Sequence, residues 1–142
     1  MKVSQLIILF SSILFFTTQC SEDESIIRDL NGNAPPTASN PHISGTPTAG
    51  QILKGIYTYS DKESDQEGGS EYKWYRADDV NGLNKTVIPN ATDTIYTTTN
   101  TDTSKFLSFE VTPVQAFDNQ RGETATSSYV GIWDISSPKE KK

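Results

Sequence analysis

The sequence predicts an all-β sandwich, and three observations carry that reading. From His42 onward, short runs rich in Thr, Val, Ile and aromatic residues are separated by Gly, Asn, Asp and Ser, the texture of strands joined by turns. Within the runs, apolar and polar residues alternate with the period of two that a half-buried strand requires. No window keeps a helical period, and nothing recurs at a fixed spacing as a solenoid or tandem array would. A chain of 142 residues has room for one such domain.

The strands follow in order. GQILKGIYTYS (50–60) places Leu53, Tyr57 and Tyr59 on one face and Lys54 and Thr58 on the other. EYKWYRA (71–77) puts Tyr72 and Trp74 in phase against Lys73 and Tyr75. Asn81-Gly82 in DDVNGLN marks a turn, because both residues tolerate positive φ. Further runs are KTVIP (85–89), DTIYTT (93–98), KFLSFEVTPVQAF (105–117) and TATSSYVGIW (124–133). In the longest of these a D-x-x-x-aromatic pattern nominates Phe106 as a corner residue. Alternation instead sends Leu107, Phe109 and Val111 inward, and Phe106 lacks the hydroxyl that a tyrosine corner uses.

Ahead of the domain, Lys2 gives a positive start, LIILFSSILFF (6–16) an apolar run of 11, and TTQ leads to Cys20. This is the layout of a bacterial export signal over residues 1–19. The run is too short to remain as a spanning helix, which needs about 20 apolar residues. A cysteine directly after it resembles the lipobox of bacterial lipoproteins, and that resemblance implies lipidation of Cys20. The pattern ordinarily has an aliphatic residue three places before the cysteine and a small one just before it, where this chain has Thr17 and Gln19; spirochaetes and the Bacteroides–Flavobacterium group are looser at these places. SEDE (21–24) is similar to the acidic stretch after the lipidated cysteine in surface-exposed lipoproteins of the latter group, which implies display on the outer membrane or cell surface, with a periplasm-facing position as the other option. Residues 20–41 then read as the lipidated cysteine and an acidic, flexible tether, poor in the apolar groups that could offset its ordering entropy.

ISGTPTAGQILKGIYTYSDKESDQEGGSEYKWYRADD (43–79), followed by FLSFEVTPV (106–114), resembles the bacterial immunoglobulin-like repeats of cell-surface and secreted proteins. The resemblance covers residues 34–133 and implies an immunoglobulin-like β-sandwich of about seven strands. Trp74 then sits where the third-strand tryptophan fills the space between sheets, and no disulfide can help it, since Cys20 is the one cysteine. The expected core is Leu53, Tyr57, Trp74, Leu107, Phe109 and Val111. The domain is expected over 42–134, with a charged tail at 135–142.

Eighteen acids against 12 bases, a net charge of −6, argue against nucleic acid as a partner, because phosphate binding needs clustered Lys and Arg. KEKK at the end of the chain reads as a solvated tail. Nothing supports catalysis: His42 is the sole histidine and sits beside a proline, no Ser-His-Asp arrangement is indicated, and Cys20 at a membrane is no nucleophile. No cofactor is expected, with one possible exception. Asp61, Glu63, Asp65 and Glu67 in SDKESDQEGG fall at every second residue, and such oxygens suit calcium, although a solvated turn bent by Gly68 and Gly69 accounts for them more simply. Tyr75, Tyr96, Tyr129 and Trp133 form a second candidate, a row of rings of the kind by which carbohydrate-binding modules hold sugars, although places in the core or on the sheet faces, where aromatics are favoured, account for most of them more simply. NKT (84–86) and NAT (90–92) match the glycosylation sequon by coincidence in a bacterial lipoprotein. The function expected is a membrane-anchored, non-catalytic binding or spacer module in adhesion or protein recognition. A displayed carbohydrate-binding module is the alternative.

Overall fold

Alternation turns into pairing. In the computed structural model, which describes residues 32–134, β1 (Thr37–Gly45) pairs antiparallel with β2 (Ile52–Ser60), and β2 pairs on its other side with β5 (Ile95–Thr97). A second antiparallel sheet runs in the order β4 (Thr86–Val87), β3 (Glu71–Ala77), β6 (Phe106–Thr112) and β7 (Ala125–Thr126), with β8 (Val130–Gly131) also on β6. Among the described residues there is no α-helix, only a 3-10 turn at Asn100–Asp102. Consecutive strands β2 and β3, and again β5 and β6, lie in different sheets, so the chain crosses the sandwich repeatedly. The expected signal peptide, Cys20, the tether up to residue 31 and the tail from 135 lie outside the described residues.

The core sits between the sheets. Leu53, Trp74, Leu107, Phe109 and Val111 are fully buried, and Tyr57 is partly buried against them. Each large apolar side chain so placed contributes about 1.5–3 kcal/mol relative to exposure. Trp74 faces Phe109 across the β3–β6 ladder with ring centroids 5.3 Å apart, and its indole N–H donates to the carbonyl of Asp93 at 2.9 Å. Gly55 of β2 lies directly over Phe109, where a Cβ would overlap the ring.

Three boundaries differ from the expectation. β1 begins at Thr37, inside the stretch read as tether, and Pro36 before it is buried. Its sequence hides it: Asn40 takes φ 52 beside Pro41, the register shifts between Ser39 and His42, and the alternation breaks there. The run at 105–117 stops as a strand at Thr112, before Pro113. The run at 124–133 is split into β7 and β8, with the Ser127 hydroxyl taking the Phe109 N–H at 2.9 Å at the break.

Candidate functional site

The acidic stretch turns on Asp61. Its Oδ1 accepts the backbone N–H of both Glu63 and Asp65 at 2.9 Å, and Ser64 between them takes φ 66. The chain bends at Gly69, as expected, but neither Gly68 nor Gly69 needs positive φ to do so. Gly68 is there for closeness: a Cβ on it would come within 2.9 Å of the Ala116 Cα, and its N–H donates to the Val114 carbonyl at 2.7 Å.

The carboxylates of this stretch do not form one ligand set. Glu63 Oε2 accepts the Ala34 N–H at 3.1 Å, while Glu67 Oε1 accepts the Tyr57 hydroxyl and, at 2.5 Å, the Ser70 hydroxyl. Among the described residues no group of three or more His, Cys, Asp or Glu is placed to hold a metal ion. The expected calcium set Asp61, Glu63, Asp65 and Glu67 is therefore corrected: the side chains of Glu63 and Glu67 turn to different parts of the domain, one to Ala34 and the other to Tyr57 and Ser70. Burial, then the bonds to Glu67 and Tyr72, push the Tyr57 hydroxyl pKa well above its ordinary value.

The four aromatic candidates divide. Tyr96 turns inward, its ring centroid 5.5 Å from that of Trp74 and its hydroxyl donating to Asp102 Oδ2 at 2.8 Å. The other three lie on the outer face of the five-stranded sheet. Tyr75 stands opposite Ser108 and Val87, donates its hydroxyl to Glu110 Oε1 at 2.9 Å, and carries the Lys85 ammonium 3.8 Å above its ring. Val130 is opposite buried Leu107, so Tyr129 and Gly131 point outward. A Cβ on Gly131 would meet Phe106 at 3.3 Å and Trp133 at 3.6 Å, which places Trp133 and Phe106 side by side over that glycine. Trp133 is 65% exposed and Val87 53% exposed, while Tyr75, Phe106 and Tyr129 are half-buried. The Tyr129 hydroxyl reaches Gly82, which bends the 78–84 loop with φ 85; Asn81 does not share that positive φ.

Sequence reasoning missed Asp102. It lies in the 3-10 turn and is fully buried. Its carboxylate accepts Arg76 Nε at 2.7 Å, the Thr99 N–H at 2.7 Å and the Thr99 hydroxyl at 2.9 Å, besides Tyr96. Burial pushes the Asp102 pKa up, but these donors outweigh it and hold the carboxyl below its ordinary value. The D-x-x-x-aromatic pattern was the available signal, and it pointed at the wrong end: Phe106 lies outward beside Ala77 and Gly131, whereas the aspartate is the structural member.

His42 is exposed on β1, with its Nδ1 2.9 Å from the carbonyl oxygen of Asn40. The sequon asparagines are turn residues: Asn84 and Asn90 adopt φ 54 and φ 62, and Asn84 Nδ2 donates to Asp78 Oδ2 at 2.7 Å. Compared with known families, the chain matches the family model of the AIR9 A9 domain, an Ig-like domain, over residues 37–129. No curated protein matches it.

Proposed function

Because the chain belongs to the AIR9 A9 domain family of Ig-like sandwiches, which are typically non-catalytic, we propose that it is a recognition module held at a bacterial envelope membrane by a lipid on Cys20. The acidic tether sets the sandwich off the bilayer at the outer membrane or cell surface, and the outer face of the five-stranded sheet meets a partner protein. The observation that supports this reading is that face itself. Trp133, open to solvent, shares it with exposed Val87 and with the half-buried rings of Phe106, Tyr129 and Tyr75, and aromatics grouped in this way are the usual anchors of protein interfaces. Charges flank the rings: Lys73 and Lys85 each stand 3.8 Å from the Glu110 carboxylate, in the manner of a polar rim.

A second reading rests on Trp133 alone. An indole open to solvent beside a second ring suits stacking on a sugar, which makes a glycan the competing partner. Immobilised full-length chain, exposed to a panel of extracellular-matrix proteins and of glycans, separates the two. Retention of a protein supports the first reading, retention of glycans alone replaces it with the second, and retention of neither leaves a spacer.

A further inference from the structure

We infer that one end of the sandwich holds a divalent cation of calcium type, liganded by side-chain oxygens of Asn33, Asp61 and Gln115 from three separate segments. Each of these residues has a buried side-chain oxygen with no hydrogen-bond partner: Asn33 Oδ1, Asp61 Oδ2 and Gln115 Oε1. Gln115 decides the matter, because the whole residue is 0% exposed. A buried carboxamide oxygen is normally paired, so an orphan here calls for a partner from outside the protein, a cation or a water.

The three segments meet through bonds that leave those oxygens over. Ala34 donates to Glu63, and Glu63 donates to the other oxygen of Asp61, which ties the start of the domain to the 61–67 loop. Ala116 donates to the Gln66 carbonyl at 2.8 Å, and Gln115 bridges Glu67, which ties that loop to the segment after β6. Asp118 closes the ring: its Oδ1 takes Gln115 Nε2 at 2.7 Å and its Oδ2 takes Asn33 Nδ2 at 3.4 Å. Both amide nitrogens are thus committed to one carboxylate, so both amide oxygens are turned away from it.

The chemistry selects the occupant. The orphans are all acceptors, two amide oxygens and one carboxylate oxygen, without nitrogen or sulfur. Such a set suits a hard cation that takes six to eight oxygens, with carbonyls and water completing the shell. Mixed amide and carboxylate ligands also explain why four alternating acids misidentify the site: only Asp61 of that series is shared. Asp65, buried and bonded through its N–H to Asp61, adds negative charge beside it.

The test uses the full chain in detergent micelles, stripped with EDTA and titrated with CaCl2 to about 10 mM, above the 10⁻⁴–10⁻³ M range of extracellular calcium modules. The expected result is a one-site binding heat and a melting temperature raised by several degrees, with MgCl2 much weaker. Asp61→Asn and Asn33→Ala should each weaken calcium at least tenfold, and Gln115→Leu should abolish the shift. Glu67→Gln, whose side chain faces Tyr57 and Ser70 and lies outside the set, should leave affinity within about twofold. No heat and no thermal shift, as when water alone serves these oxygens, overturns the site. Equal weakening by Glu67→Gln overturns the ligand assignment. Either failure leaves the recognition reading untouched.

Discussion

Arg76 Nε donates to Asp102 Oδ1 at 2.7 Å, and the carboxylate it meets is shut off from solvent. Arg76 belongs to β3 in one sheet, and Asp102 also takes the hydroxyl of Tyr96 from β5 in the other. One carboxylate therefore ties the two sheets at the end of the core, where a chain with a single cysteine has no disulfide to do so. Removing one partner of a buried pair strands the other. Asp102→Ala is expected to lose about 3–5 kcal/mol in urea unfolding. A loss under about 1 kcal/mol, the scale of an exposed pair, would show that the link is peripheral.

The same group sets an acid limit. Its folded pKa is depressed, so its contribution is present above the unfolded aspartate value of about 3.9 and is lost as pH falls through the lower folded value. Chemical denaturation from pH 7 down to 3 should show stability falling below about pH 4, with a shallower fall in Asp102→Asn. Tyr96 acts at the other extreme. Burial and the bond to Asp102 raise its pKa, so its contribution is complete below about pH 10 and lost as pH rises beyond it.

Packing around Phe109 supplies a third expectation. Trp74→Ala opens a large cavity beside it and should cost about 3–5 kcal/mol; an unchanged melting temperature would remove Trp74 from the centre of the core. Gly55→Ala acts in the opposite sense, by overfilling. Its methyl has no space above a ring already packed by Trp74 and by Tyr72 at 5.9 Å, and a loss of about 1–3 kcal/mol is expected.

Much of this core was legible because its strands are central. β3, flanked on both sides by β4 and β6, coincides with EYKWYRA to the residue, since two neighbours and a buried face leave its alternation little freedom. Edge strands carry a weaker record. β1 is polar and bulged, and the three-residue β5 is too short for alternation to reveal that Tyr96 turns inward. Asp102 and Gln115 were illegible for a different reason. Composition reads a polar residue as exposed, and only tertiary contacts make burial of Asp102 affordable.

Lipidation of Cys20 predicts that the chain incorporates labelled fatty acid and fractionates with membranes, and that Cys20→Ala does neither. A Cys20→Ala chain that still takes up label would place the acyl group elsewhere and return Thr17 and Gln19 to their plain reading as non-lipobox residues.

The central claim is that recognition uses the outer face of the five-stranded sheet. It is tested most directly by repeating the partner panel with two single variants, Trp133→Ser on that face and Ile56→Ser on the outer face of the three-stranded sheet, both exposed positions. The account predicts that a retained partner is lost with Trp133→Ser, weakened by about 2 kcal/mol or more as for an interface anchor, and kept with Ile56→Ser. Equal retention by both variants, or loss with Ile56→Ser alone, would contradict it.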